Sequence, residues 1–238
     1  MNTILFLIVI VGANIIQGIT GFAGTLLAMP PSLLLVGYSV AKPVLNTLGF
    51  LSGWYVFLGN VKSVVWREVV KIVCIMAIGM FVGILIKNYF VGREQILYKI
   101  LGVFVIFLGI HGLLFPEAKQ TASKADNLLL PAAGIVHGMF VSGGSLLIGY
   151  ATHRLHDKTA FRATLSTVWI FLNGLLLLEE IQSGIWNFEL FKTLLITIPF
   201  LFAGMFIGSK LVARMSQKLF MKITYILLII SGITLLIK

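Results

Sequence analysis

Two short stretches of this sequence set glycines beside hydroxyl and amide side chains in the pattern an anion receptor needs. The first is "QGITGFAGT", residues 17–25, which offers Gln17, Thr20, Gly21, Gly24 and Thr25. The second is "HGMFVSGGS", residues 137–145, which offers His137, Ser142, Gly143, Gly144 and Ser145. Both interrupt long apolar runs. A glycine-rich break at membrane depth frees backbone groups, and these are tolerated only where protein or a watery cavity satisfies them. It also exposes the start of a new helix, with free N–H groups and about half a positive charge. Such a start suits an anion. The first is expected at about residues 22–26, and the glycines at 143 and 144 would let a ligand approach the backbone closely. The competing reading is close helix packing, which small residues also serve.

Other polar residues extend the candidate site. Arg162 falls in the first turn of a helix expected to begin near Thr159, and a guanidinium fork can grip two oxygens of a sulfonate, sulfite or carboxylate. Lys42 stands beside Pro43 at another expected helix start, where proline fits the first position. Asn14, Asn46, Thr47, Ser166, Thr167 and Asn173 lie in or near apolar segments, where polar residues face a bundle interior or a water path. Asn46 and Asn173 are the candidates to orient a substrate. His137 either binds an anion when protonated, carries a proton, or is simply a satisfied structural histidine. Glu179 and Glu180 end a greasy run at "LLLLEEIQSGIW" and are expected at the membrane boundary.

The elements that position these residues follow from composition. The chain has 238 residues, 59% hydrophobic and only 11% charged, against about 25% charged in soluble domains. It therefore belongs in a lipid bilayer, and its length fits roughly eight crossings of about 20 residues. The net charge of +10 does not indicate nucleic acid, because Lys and Arg sit in short connections between apolar runs, as the positive-inside pattern requires. Cys74 is the single cysteine, so no intrachain disulfide or thiolate metal cluster is available. No cofactor is implied. The start, "MNTILFLIVIVG", reads as a retained helix and not as a cleaved signal peptide.

Apolar runs occur at about 3–20, 22–37, 44–61, 69–87, 96–115, 128–151, 161–178, 190–209 and 219–237. The most polar connection, 116–127, divides a first unit, 1–115, from a second, 128–238. A shift of 120 places Gln17 on His137, Gly18 on Gly138, Gly24 on Gly144, Thr25 on Ser145, Lys42 on Arg162 and Thr47 on Thr167. A shift of 125 places "GMFVG", 79–83, on "GMFIG", 204–208, and these two are expected to be packing motifs. The expected fold is an all-α polytopic membrane protein of two homologous four-element repeats. The first element of each is broken or re-entrant, giving parallel or inverted halves respectively. Internal repeats of this kind are typical of secondary transporters.

The stretches "QGITGFAGTLLAMPPSLLLVG", "FRATLSTVWIFLNG", "AGMFIGSKLVARMSQKLF" and "ISGITLL" resemble the signatures of the TauE/SafE family of sulfite and sulfonate permeases, in register over nearly the whole chain. The resemblance implies an inner-membrane permease for a small anionic or sulfur-containing substrate, with the glycine signatures framing its path. Ala23 stands where many members have glycine, and Ser145 and Leu146 stand where many have proline. No Walker A pattern is present, so energy would come from gradients, with protons a candidate coupling ion and a homo-oligomer an open option. The other readings are a channel or structural subunit, and an intramembrane serine hydrolase built on Ser142 or Ser145 with His137. The last lacks a nearby orienting carboxylate.

Overall fold

A computed structural model describes residues 2–21, 23–90, 93–115, 127–151, 154–155 and 157–211, together with 222, 225–226, 229–230, 232–233 and 236–237. The described residues form helices and connecting turns. They comprise α1 (Asn2–Thr20), α2 (Gly24–Val36), α3 (Tyr38–Asn60), α4 (Trp66–Tyr89), α5 (Glu94–Leu114), α6 (Leu129–Phe140), α7 (Gly144–Ala151), α8 (Lys158–Gln182) and α9 (Phe188–Leu211). Five of these, α1, α4, α5, α8 and α9, contain stretches long and apolar enough to cross a membrane. All but Asn127 of the expected linker, and much of the last apolar run, lie outside the described residues.

The apolar surface of these helices stays outward. Ile78, Phe81 and Leu85 of α4 are exposed, as are Phe188 and Phe191 of α9. Lipid tails are as apolar as leucine, so burying such side chains does little to hold the bundle together. Close backbone approach does more. α1 packs on α9, α4 packs on α6, and α3 packs on α8. At the first of these seams a carbon added to Gly204 would lie 2.7 Å from the Val11 carbonyl oxygen, and one added to Gly18 would lie 2.9 Å from that of Met205. At the second, Gly79 meets the Pro131 carbonyl and Gly138 meets that of Met80, closer still. The "GMFVG" and "GMFIG" motifs are thus packing surfaces, each against the first helix of the other half of the sequence.

The helix ends explain the breaks. α1 stops at Thr20 because Gly21 turns to φ +81°, a left-handed conformation that glycine adopts without steric cost. α6 stops at Phe140, where Val141 takes φ 54° and ψ 27°. Val141 is the one positive-φ non-glycine residue among those described, and a β-branched residue there is a backbone outlier. The apolar runs at about 3–37 and 128–151 are therefore each divided into two helices, α1 with α2 and α6 with α7. One boundary differs from expectation. α3 begins at Tyr38, not beside Pro43, because Gly37 at φ +76° separates it from α2 and accepts the first helical bond from Ala41 N–H at 2.9 Å. Pro43 lies inside the helix.

Candidate functional site

The first break is held by Gln17, one turn before the end of α1. Its Oε1 accepts from the Gly24 N–H at 2.8 Å, and its Nε2 donates to the Gly21 carbonyl at 3.3 Å and to Ser52 Oγ at 3.4 Å. Thr20 adds a second clamp: its hydroxyl donates to the Ile16 carbonyl at 2.8 Å and accepts from the Ala23 N–H at 3.2 Å. Part of the exposed start of α2 is therefore capped by the chain itself. A cavity about the size of one water molecule remains beside it. Its polar lining comes from Asn14, Gln17, Thr25 and Ser52, with Gly24 and Gly49 opening the wall.

Arg162 reaches this first break from α8. A carbon added to Gly21 would lie 2.8 Å from Arg162 Cγ, so glycine is required there for space as well as for its backbone angle. The Arg162 Nε is buried and has no hydrogen-bond partner among the described residues. The chain order alone had set Arg162 after the second break. The fold carries it to the first, because α8 packs on α3 across the halves.

The second break is arranged differently. The His137 backbone carbonyl accepts from Val141 N–H at 2.8 Å; neither ring nitrogen makes a well-formed hydrogen bond among the described residues, although the Asn173 side chain faces the ring, which is only 2% exposed. It stacks on Trp169 at 5.2 Å between centroids. Ser142 Oγ turns back to donate to the Phe140 carbonyl at 2.9 Å, so it is not paired with His137. Space beside Gly143 is filled by α6: an added carbon would meet the Ala133 carbonyl and sit 2.9 Å from His137 Cβ. The close approach that glycine allows here is taken by the protein's own helix. Gly144 opens α7, and Ser145 follows within it; its side chain lies outside the described residues.

Between the breaks runs a buried polar seam that joins α3 and α8. Asn46 Nδ2 donates to the Asn173 carbonyl at 3.2 Å and to Glu180 Oε2 at 3.0 Å. Lys42 Nζ lies 3.5 Å from Glu180 Oε1. Asn173 Nδ2 would be 2.6 Å, and Thr25 Cγ2 3.4 Å, from a carbon on Gly49, so the seam meets the cavity wall there. The oxygens Asn46 Oδ1 and Asn173 Oδ1 are buried without hydrogen-bond partners among the described residues. Such groups are uncommon and costly unless water or a ligand completes them.

Thus Gln17, Thr20, Gly21, Gly24, Thr25 and Arg162 gather at the first break. Asn46 and Asn173 form the seam, and His137 stands on its α6 side beside Trp169. Glu180 corrects the expectation of a boundary residue. It is 0% exposed, while Glu179 beside it is partly exposed and lies 4.0 Å from Lys87. Lys42, expected as a topology determinant or substrate contact, is the ion partner of Glu180. A sequence signal existed. Ser166, Asn173 and Glu180 recur every seven residues, two helical turns, and so share one face of α8.

Comparison with known proteins agrees with this picture of a polytopic carrier. The family model described as "Sulfite exporter TauE/SafE" matches residues 5–235. A "probable inner membrane transporter protein TsaS" of Comamonas testosteroni is 23% identical over 179 residues, covering 74% of this chain and 74% of its own. No solved structure matches.

Proposed function

Because this chain belongs to the sulfite exporter TauE/SafE family of membrane transporters, we propose that it carries a small anion, namely sulfite, a sulfonate or a related sulfur compound, across a bacterial-type inner membrane by alternating access. One observation carries the anion reading. Arg162 packs its side-chain stem against Gly21 at the first break, and its Nε is buried with no hydrogen-bond partner among the described residues; α2 begins three residues on from Gly21, beside a small polar cavity. Guanidinium and helix start both favour negative charge, and both are pre-arranged before any substrate enters.

The Gln17 cap gives this reading a mechanism. Gln17 Oε1 accepts from the Gly24 N–H. An arriving anion competes with that amide oxygen for the donors at the start of α2, and Arg162 tips the balance toward the anion. Thr25 and Asn173, which meet at Gly49, connect this position to the seam between the two breaks. Ser142, Gly143, Gly144 and Ser145 mark the corresponding position on the other side. The two halves, 1–115 and 128–238, rock about this line. The membrane location is supported by the apolar helices and by the inner-membrane name of the Comamonas relative.

The test is flux into proteoliposomes of purified protein, using radiolabelled sulfite and a small sulfonate with unlabelled competitor. Saturable, competed flux supports the carrier. Flux that rises linearly without saturation supports a channel instead. Absence of flux above empty liposomes for every sulfur anion removes the substrate assignment.

A further inference from the structure

We propose that Glu180 is the proton-binding group of this transporter, and that one proton travels with each substrate anion in the same direction. The inference rests on the anion-carrier reading above and adds its driving force.

The argument is one of charge. Arg162 serves the first break and is paired with no carboxylate among the described residues. An anion that arrives there is neutralised on arrival. Lys42 occupies the matching place in the other half, since 42 plus 120 is 162. Its helix turns toward the second break: Tyr38, one turn earlier, donates its hydroxyl to the Met139 carbonyl. Lys42 is 2% exposed and already neutralised by Glu180, which is 0% exposed. An anion handed from Arg162 toward Lys42 would therefore find two negative charges sharing one positive charge, inside protein within a bilayer. An uncompensated buried charge costs several kcal/mol.

A proton on Glu180 removes that cost. The carboxylate becomes a neutral acid, Lys42 is released to face the anion, and the net charge of the seam is unchanged. One negative charge and one proton enter together, so atoms and charge balance without a further reactant. The surroundings are suited to both forms. Asn46 Nδ2 donates to Glu180 Oε2; Asn46 Oδ1 and Asn173 Oδ1 are buried acceptors without a partner among the described residues, suited to the freed ammonium or a water, and the enclosed His137 ring offers one N–H to an entering anion. The other charged or titratable groups that face the Lys42–Glu180 pair are Tyr38 on α3, Lys87 on α4, His137 on α6 and Glu179 on α8, with Tyr98 on α5 facing Tyr38. Glu179 faces Lys87 at 4.0 Å and is partly exposed, which leaves Glu180 as the carboxylate fully enclosed with the seam.

The experiment uses a small sulfonate, which stays ionised at every working pH, so its own titration cannot mimic coupling. In wild-type proteoliposomes an inward proton gradient should raise steady-state accumulation about tenfold per pH unit, as one-for-one coupling requires. The process should be electroneutral and so insensitive to membrane potential. Glu180→Gln mimics the protonated acid. Exchange of labelled for unlabelled sulfonate should persist in E180Q, while accumulation stops following the proton gradient and begins to follow membrane potential. In weakly buffered detergent solution, adding sulfonate should draw about one proton onto the wild-type protein and none onto E180Q. The proposal is overturned if E180Q still accumulates sulfonate with the proton gradient. It is also overturned if E180Q loses exchange while the K42M/E180Q double variant recovers it, since the pair would then be purely structural. Loss of sulfonate exchange in the wild type itself would instead overturn the carrier reading, and this inference with it.

Discussion

The two helix breaks sit at matching positions, yet they solve the same problem in opposite ways. α1 ends at Thr20 and α2 begins at Gly24; α6 ends at Phe140 and α7 begins at Gly144, so each boundary recurs 120 residues later. At the first break a glycine takes the left-handed turn, a glutamine caps the new helix, and Gly49 leaves a cavity. At the second a valine takes the same turn, a histidine caps nothing, and Trp169, which matches Gly49 at the same shift, stacks over it. One break is polar, relaxed and open; the other is strained, plugged and unsatisfied. A carrier built from two equal half-sites would have no reason to differ so. Under the carrier reading proposed above, the first break would be the one that receives the ligand and the second the one that moves.

Four paired comparisons of substitutions would break or sharpen that contrast. The largest effect is expected where the breaks are alike. Gly18→Leu and Gly138→Leu should each force apart a seam that has no room for one carbon, costing more than about 4 kcal/mol. Loss of the monodisperse peak in detergent would show it for both; loss for one alone would mean the seams are unequal too. Arg162→Ala should lower the apparent affinity for a transported anion by roughly 10- to 100-fold, the value of a charged hydrogen bond. Lys158→Ala should leave it nearly unchanged, and equal effects would remove Arg162 from the site.

The caps provide the third test. Gln17→Leu strands the Gly24 N–H and the Gly21 carbonyl, so thermal unfolding in detergent should report about 1–3 kcal/mol of lost stability. His137→Leu removes no hydrogen bond made by the ring and should cost under about 1 kcal/mol by the same measurement. A larger loss for His137 would mean that its ring is satisfied by bound water. The smallest effect concerns strain. Val141→Gly should stabilise the fold by about 1 kcal/mol and, if the second break is the moving one, alter the flux rate with little change in apparent affinity. Gly21→Val should be destabilising, since its side chain would run into Arg162.

How far these features were legible in the sequence depends on their range. The glycine breaks could be read because a break is a local event: a glycine cluster inside an apolar run has few other uses. The packing role of residues 79–83 and 204–208 could be read for the same reason. The start of α3 was missed because Pro43 looked like a first-turn residue, while the true signal was Gly37, whose positive φ separates two helices with no polar loop between them. Two other features were not legible for a different reason. Chain order does not show that Arg162 meets Gly21 of the first break, and the greasy run before Glu179 and Glu180 suggests the membrane boundary for both, whereas Glu180 is enclosed. Periodicity marks a face, as the spacing of Ser166, Asn173 and Glu180 does on α8, but not which helix of the other half packs against it.

The exchanged seams have a consequence for how the protein is made. α1 leaves the ribosome well before its packing partner α9, Phe188–Leu211, with residues 21–187 made in between. At roughly 5–20 residues per second, α1 waits on the order of ten to thirty seconds in the membrane with its small-residue groove facing lipid. Each of these seams joins helices from different halves, so assembly waits until α9 has been made. Nascent chains cut short before residue 188 should remain open to quality-control proteases, however well their individual helices are inserted.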